Sequence, residues 1–131
     1  MSTPRVLIVD DEGPVAELLS YIVADAGYAP VVAPHGRDAL EAARREWPDL
    51  LLTDLMMPYL DGAGLIAALR DEAAARGVSP IPSVLVTGAG PTALARAAAD
   101  IVLRKPFEVA DVEAVLRLLL GTTEAAARAD D

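Results

Sequence analysis

Five short apolar runs, separated by stretches with helical periodicity, constrain this chain more than any other feature. They are Val6 to Val9, Ala29 to Val32 (broken by Pro30), Leu50 to Leu52, Val84 to Val86 and Ile101 to Leu103. Near-continuous apolar runs of this length read as strands buried on both faces of a parallel sheet.

The segments between them read as helices. The first spans about Pro14 to Ala26, with Val15, Leu18, Leu19, Ile22 and Val23 at helical spacing and Gly27 as a stop. The second runs from about Arg37 to Trp47, carries Leu40, Ala43 and Trp47 on one side and ends at Pro48. The third covers about Gly64 to Arg76, buries Leu65, Ala68 and Leu69, and stops at Gly77. The fourth is short, opening with Pro91 and spent by Ala99. The fifth runs from Val109 to Leu120, with Val112, Val115, Leu116 and Leu119 inward. Strands alternating with helices predict an α/β fold: a doubly wound (βα)5 three-layer sandwich with a five-stranded parallel sheet of flavodoxin-like order 2-1-3-4-5 and a shortened fourth helix. One domain is expected over residues 1–121, with a short polar tail over 122–131 and no output domain after Leu120.

Composition narrows the function. The chain has 131 residues, enough for one core, and is 53% hydrophobic, too apolar for disorder. A net charge of −9 argues against a nucleic-acid binder, which needs basic side chains to displace counterions. There is no cysteine, so disulfides and thiolate metal sites are excluded. No apolar run reaches membrane-spanning or signal-peptide length, and a soluble, cytoplasmic protein without a membrane partner is expected. Ten of the eleven basic residues are arginines; the exception is Lys105.

Right-handed crossovers put the carboxyl ends of all the strands on one edge of the sheet, where ligands of such folds bind. Asp10, Asp11 and Glu12 follow the first strand, Asp54 the third, Thr87 the fourth and Lys105 the fifth. Asp10, Asp11 and Asp54 are expected to crowd three carboxylates, which a cation must neutralise. Donors restricted to oxygen suit a hard ion, and Mg2+ suits a site that also takes phosphate. An Asp carboxylate can attack phosphorus, a lysine ammonium can balance a phosphate oxygen, and a threonine hydroxyl is a movable donor. Singly, these residues have plainer roles: an Asp pair after a strand is often a turn or cap, Asp61-Gly62 reads as a turn without chemistry, Met56 and Met57 as core filler, and His35 as a solvated loop residue. It is their agreement at four strand ends that points to a site.

The segments Val6-Leu7-Ile8-Val9-Asp10-Asp11-Glu12, Asp54-Leu55-Met56-Met57-Pro58 with Asp61-Gly62, Val84-Leu85-Val86-Thr87 and Lys105-Pro106-Phe107 resemble receiver domains of two-component response regulators, over about Arg5 to Leu120. The resemblance implies a phosphorylation switch. Asp54 accepts the phosphoryl group from a phosphohistidine of a sensor histidine kinase or phosphotransfer protein. Asp11 ligates Mg2+ directly and Asp10 mainly through water, Met56 offers its backbone carbonyl, Thr87 swings to the phosphoryl oxygen, and Lys105 pairs with the phosphate across a Lys105–Pro106 bond that is often cis. Such a domain catalyses only its own modification and acts through a protein partner, a relay or a homodimer.

The sequence departs from that family at three places on one face. Val102 stands three before the lysine, where an aromatic residue is usual. Only 18 positions separate Thr87 from Lys105, about one helical turn less than expected. Gly88-Ala89-Gly90-Pro91 is rich in glycine. Met56 and Ala89, two after Asp54 and Thr87, cannot orient an attacking water, so slow autodephosphorylation is expected. Two other readings compete. One is a receiver-like interaction module that is never phosphorylated, which the altered face favours. The other is a dinucleotide-binding protein, since Gly88-Ala89-Gly90-Pro91-Thr92-Ala93 fits G-x-G-x-x-A but follows the fourth strand, too late for a nucleotide-binding half.

Overall fold

In the computed structural model, which describes residues 3–90 and 97–121, every apolar run is a strand. The order along the chain is β1 (Arg5–Val9), α1 (Gly13–Asp25), β2 (Ala29–Ala33), α2 (Gly36–Arg45), β3 (Leu50–Thr53), α3 (Gly62–Arg76), β4 (Ser83–Thr87), β5 (Ile101–Arg104) and α4 (Val109–Leu120). All pairings are parallel, in the order β2-β1-β3-β4-β5, as expected. The short helix expected over Pro91 to Ala99 falls largely, and the tail over 122–131 wholly, outside the described residues.

Alternation along the strands builds the three layers. Val6, Ile8, Leu50, Leu52, Val84 and Val86 face α1 and α4. Leu7, Val9, Leu51 and Leu85 face α2 and α3. β2 pairs only with β1 and is an edge strand, a place where Pro30, lacking an N–H, is tolerated.

Several helix details differ from the expectation. Leu18, expected inside, is 46% exposed, and Ala16 is buried instead, because in so apolar a helix more than one phase fits the spacing. α2 ends at Arg45 rather than Trp47, as Pro48 disfavours helical backbone in the residue before it. Trp47, past that end, lies 4.4 Å below the Arg76 guanidinium. α3 starts at Gly62, two residues early, with Asp61 Oδ1 accepting the Gly64 N–H as N-cap.

Candidate phosphoryl and metal site

The site is a product of register. Val9 of β1 stands opposite Thr53 of β3, so the next residue of each strand, Asp10 and Asp54, leaves the sheet side by side. The Asp54 N–H donates to the Val9 carbonyl at 2.9 Å, extending the ladder one step beyond the strands. This is the point where the chain runs from β1 to β2 on one side and β3 lies on the other, the place where such sheets open a crevice. β4 and β5 bring Thr87 opposite Arg104, and the Lys105 N–H donates to the Thr87 carbonyl at 3.0 Å.

Lys105 joins the acids. Its Nζ lies 3.0 Å from Asp10 Oδ2, 3.6 Å from Asp54 Oδ2 and 3.9 Å from Glu12 Oε1. Asp10 and Asp54 are 2% and 6% exposed, so both carboxylates need partners. Asp10 Oδ1 accepts the Glu12 N–H at 2.9 Å, and Asp54 Oδ1 accepts the Leu55 N–H at 2.8 Å. Thr87 is buried, and its Oγ1 accepts the Ala89 N–H at 3.1 Å. The Lys105–Pro106 bond is cis.

Residues 6–117 match the family of response regulator receiver domains. The chain belongs to that family. This receiver domain is 36% identical over 128 residues to a probable transcriptional regulator ycf27 of Guillardia theta, covering 94% of this chain and 48% of that protein. It is 34% identical over 121 residues to the phosphate regulon transcriptional regulatory protein PhoB of Klebsiella pneumoniae, covering 86% of this chain and 52% of that one. The chain thus spans about half the length of the curated relatives it matches. Among solved structures, the chemotaxis protein CheY4 of Vibrio cholerae superposes with a TM-score of 0.81 at 27% identity, over 91% of this chain and 100% of that one. A putative response regulator from Chloroflexus aurantiacus gives 0.79 at 30% identity, over 91% and 98%.

The receiver domain gathers most of the residues singled out from its sequence. Asp10, Asp54 and Lys105 meet, and Thr87 ends the strand beside them. The carboxylates whose oxygens lie within 4.8 Å of one another are Asp10, Glu12 and Asp54; Asp11 is not one of them. Asp11 is exposed and lines a cavity of about 320 Å3 with Asp10, Gly13, Ala16, Val32 and Pro34. The bond from the Glu12 N–H to Asp10 folds the acidic run back on itself, and the longer Glu side chain reaches the cluster. Met56 is 60% exposed and is not the core filler it resembles in the sequence, whereas Met57 is buried. His35 is exposed, at the N-cap of α2, and is not one of the clustered groups.

Gly62 does more than make a turn. A Cβ there would stand 2.3 Å from the Asp54 carbonyl oxygen and 2.9 Å from the Leu55 Cα. Its N–H donates to the Leu55 carbonyl at 2.8 Å. The start of α3 is therefore docked directly on the backbone that carries Asp54.

The electrostatics leave room for a cation. Burial alone pulls the Lys105 ammonium down, but the Asp10 hydrogen bond and the charges of Asp54, Asp10 and Glu12 outweigh it, and the group titrates above its ordinary 10.5. One ammonium against three clustered carboxylates still leaves negative charge, all on oxygen, which suits a hard divalent ion. Among the described residues no helix is long and apolar enough to cross a membrane.

Proposed function

We propose that this receiver domain is a phosphorylation-activated switch that accepts a phosphoryl group on Asp54 from a phosphohistidine of a sensor kinase or phosphotransfer protein. The observation that carries the reading is the Lys105 ammonium held 3.0 Å from Asp10 and 3.6 Å from Asp54, both nearly buried. Transfer onto a carboxylate needs little covalent machinery from the protein; it needs alignment and neutralised charge. An Asp54 carboxylate oxygen attacks phosphorus, the P–N bond of the donor breaks, and its electron pair stays on the departing imidazole nitrogen. Lys105 moves its charge from the Asp10–Asp54 pair to a phosphoryl oxygen. The Thr87 hydroxyl donates to another.

Asp10, Asp54 and the Met56 carbonyl, with Asp11 or Glu12, would hold Mg2+, which when bound neutralises the phosphoryl oxygens. The occupied state then biases a two-state surface read by a protein partner, a relay or a second copy. The relatives named as transcriptional regulators are consistent with a switch coupled to a longer protein. The charge balance of this chain, with 11 basic against 20 acidic residues, gives the receiver domain itself no case for nucleic-acid contact.

The test is intact-mass measurement after incubation with acetyl phosphate and Mg2+. One added phosphoryl group, absent in Asp54→Asn and absent without Mg2+, supports the switch. No mass gain in the wild-type chain would replace it with an interaction module that works without phosphorylation, the reading that Val102 on β5 favours.

A further inference from the structure

We propose that Arg104 is a positioning residue that holds the Thr87 hydroxyl in its resting place, acting through the backbone of Ala89. The inference rests on the switch reading above, in which Thr87 must leave that place for a phosphoryl oxygen.

Ala89 is fixed from both sides. Its N–H donates to Thr87 Oγ1 at 3.1 Å, and its carbonyl accepts from Arg104 Nη1 at 3.0 Å. Arg104 stands opposite Thr87 in the parallel register, so the contact joins the ends of neighbouring strands. Among the described residues Arg104 forms no ion pair; its guanidinium is spent on that carbonyl. Gly88 and Gly90 flank the held residue, and a Cβ at Gly90 would meet nothing within 4 Å. Ala89 itself packs half-buried against the core on the α2 and α3 side, while Gly88 and Gly90 beside it are exposed, so its side chain anchors the residue and its two backbone hydrogen bonds set the peptides on either side. A charged donor on a carbonyl is among the stronger hydrogen bonds, though exposure weakens it.

The position has a logic of its own. Val102 and Arg104 alternate with Ile101 and Leu103 along β5 and so share one exposed face of the strand. Val102 is too short and too apolar to grip the loop beyond β4. Arg104, two residues on, reaches that loop and grips its backbone. The order of contacts runs from the guanidinium to the Ala89 carbonyl, across the Ala89 α-carbon, and from the Ala89 N–H to the hydroxyl. When Thr87 swings away, the Ala89 N–H loses its acceptor and the backbone torsions of Ala89 are free to change, which carries the change to the exposed Arg104. The state of Asp54 is thus delivered to the surface of β5 through a guanidinium.

The test uses the 15N-labelled 131-residue chain and the variant Arg104→Met, which keeps length and loses every donor. In the unphosphorylated protein, the Ala89 amide proton should lose its hydrogen-bonded shift and its low temperature coefficient. Labelling of Asp54 by acetyl phosphate should accelerate roughly threefold to tenfold, because a hydrogen bond that opposes the swing is gone. In a Thr87→Val background, which has no Oγ1, Arg104→Met should change neither the Ala89 amide nor the labelling rate, a cycle that separates coupling from general structural damage. An Ala89 amide that is unmoved by Arg104→Met, or that moves equally in both backgrounds, overturns the proposal. The amide comparison needs no phosphate, so a wild-type chain that takes none would overturn the switch reading while the positioning of Thr87 is still decided.

Discussion

The α-carbon of Gly62 is packed so tightly on the Asp54 carbonyl that a methyl group there would come within 2.3 Å of the oxygen. The obstacle is backbone, which cannot rotate aside. Gly62→Ala gains up to about 1 kcal/mol of helix propensity but must displace the strand end that carries Asp54, at a cost of about 1–3 kcal/mol or more. The clash wins, so the urea midpoint should fall and acetyl phosphate labelling of Asp54 should slow with it. Gly13, where an added methyl would meet nothing within 4 Å, is the control: Gly13→Ala should be neutral or slightly stabilising.

Lys105 compensates the most deeply buried acid of the site. In Lys105→Met, Asp10 Oδ2 loses its donor while the Asp10 side chain stays 1% exposed. Removing a partner from a fully buried pair costs about 3–5 kcal/mol, and partial exposure of the lysine reduces this to about 1–3 kcal/mol. Divalent cation should recover part of the loss, read as a larger Mg2+-dependent rise in Tm for the variant than for the wild type. The pH sign follows from the upward direction of the Lys105 shift. Its contribution is complete below the ordinary 10.5 and disappears as pH rises through the higher folded value, so the variant and the wild type should converge only in strong alkali.

Much of this architecture is written locally. Each strand is an apolar run, and Asp10, Asp54, Thr87 and Lys105 are legible because the crossover rule alone brings strand ends to one edge. What is not legible is decided by tertiary geometry. That Glu12 joins Asp10 and Asp54 follows the turn made by the bond from the Glu12 N–H to Asp10, which neither side chain announces. The role of Gly62 is a distance to another segment, and Asp61-Gly62 reads equally well as a plain turn. The inward position of Ala16 over Leu18 depends on how α1 rolls against the sheet, a choice its apolar sequence leaves open.

Tyr28, just before β2, ties that edge of the sheet to the end of α4. It is 3% exposed, and its hydroxyl donates to the Gly121 carbonyl at 2.5 Å, just past the helix. Burial raises its pKa above 10.0, against a smaller lowering by Arg117. Its contribution is therefore present below 10.0 and is lost as pH rises through the raised value, because the unfolded chain ionises first. Tyr28→Phe should cost about 0.5–1.5 kcal/mol at neutral pH by urea denaturation, the value of one such bond. The variant should also lose less stability than the wild type between about pH 9 and 11, since one of the groups linked to alkaline unfolding is gone.

Under the proposed switch, Met56 bears on how long Asp54 would stay phosphorylated. It is 60% exposed, two residues from Asp54, and its side chain offers no donor or acceptor capable of orienting water. Ala89, the equivalent neighbour of Thr87, offers only backbone, and its N–H is already given to Oγ1. Hydrolysis of an acyl phosphate at Asp54 would then lack a positioned nucleophile, and positioning is a large part of the rate of such a step. Met56→Asn places an amide where water must approach, with no core to disturb because the site is exposed. The half-life of phosphorylated protein, followed by intact mass after removal of acetyl phosphate, should shorten by roughly threefold to tenfold. A half-life unchanged by the amide would mean that water reaches the phosphorus from a direction this side chain does not govern.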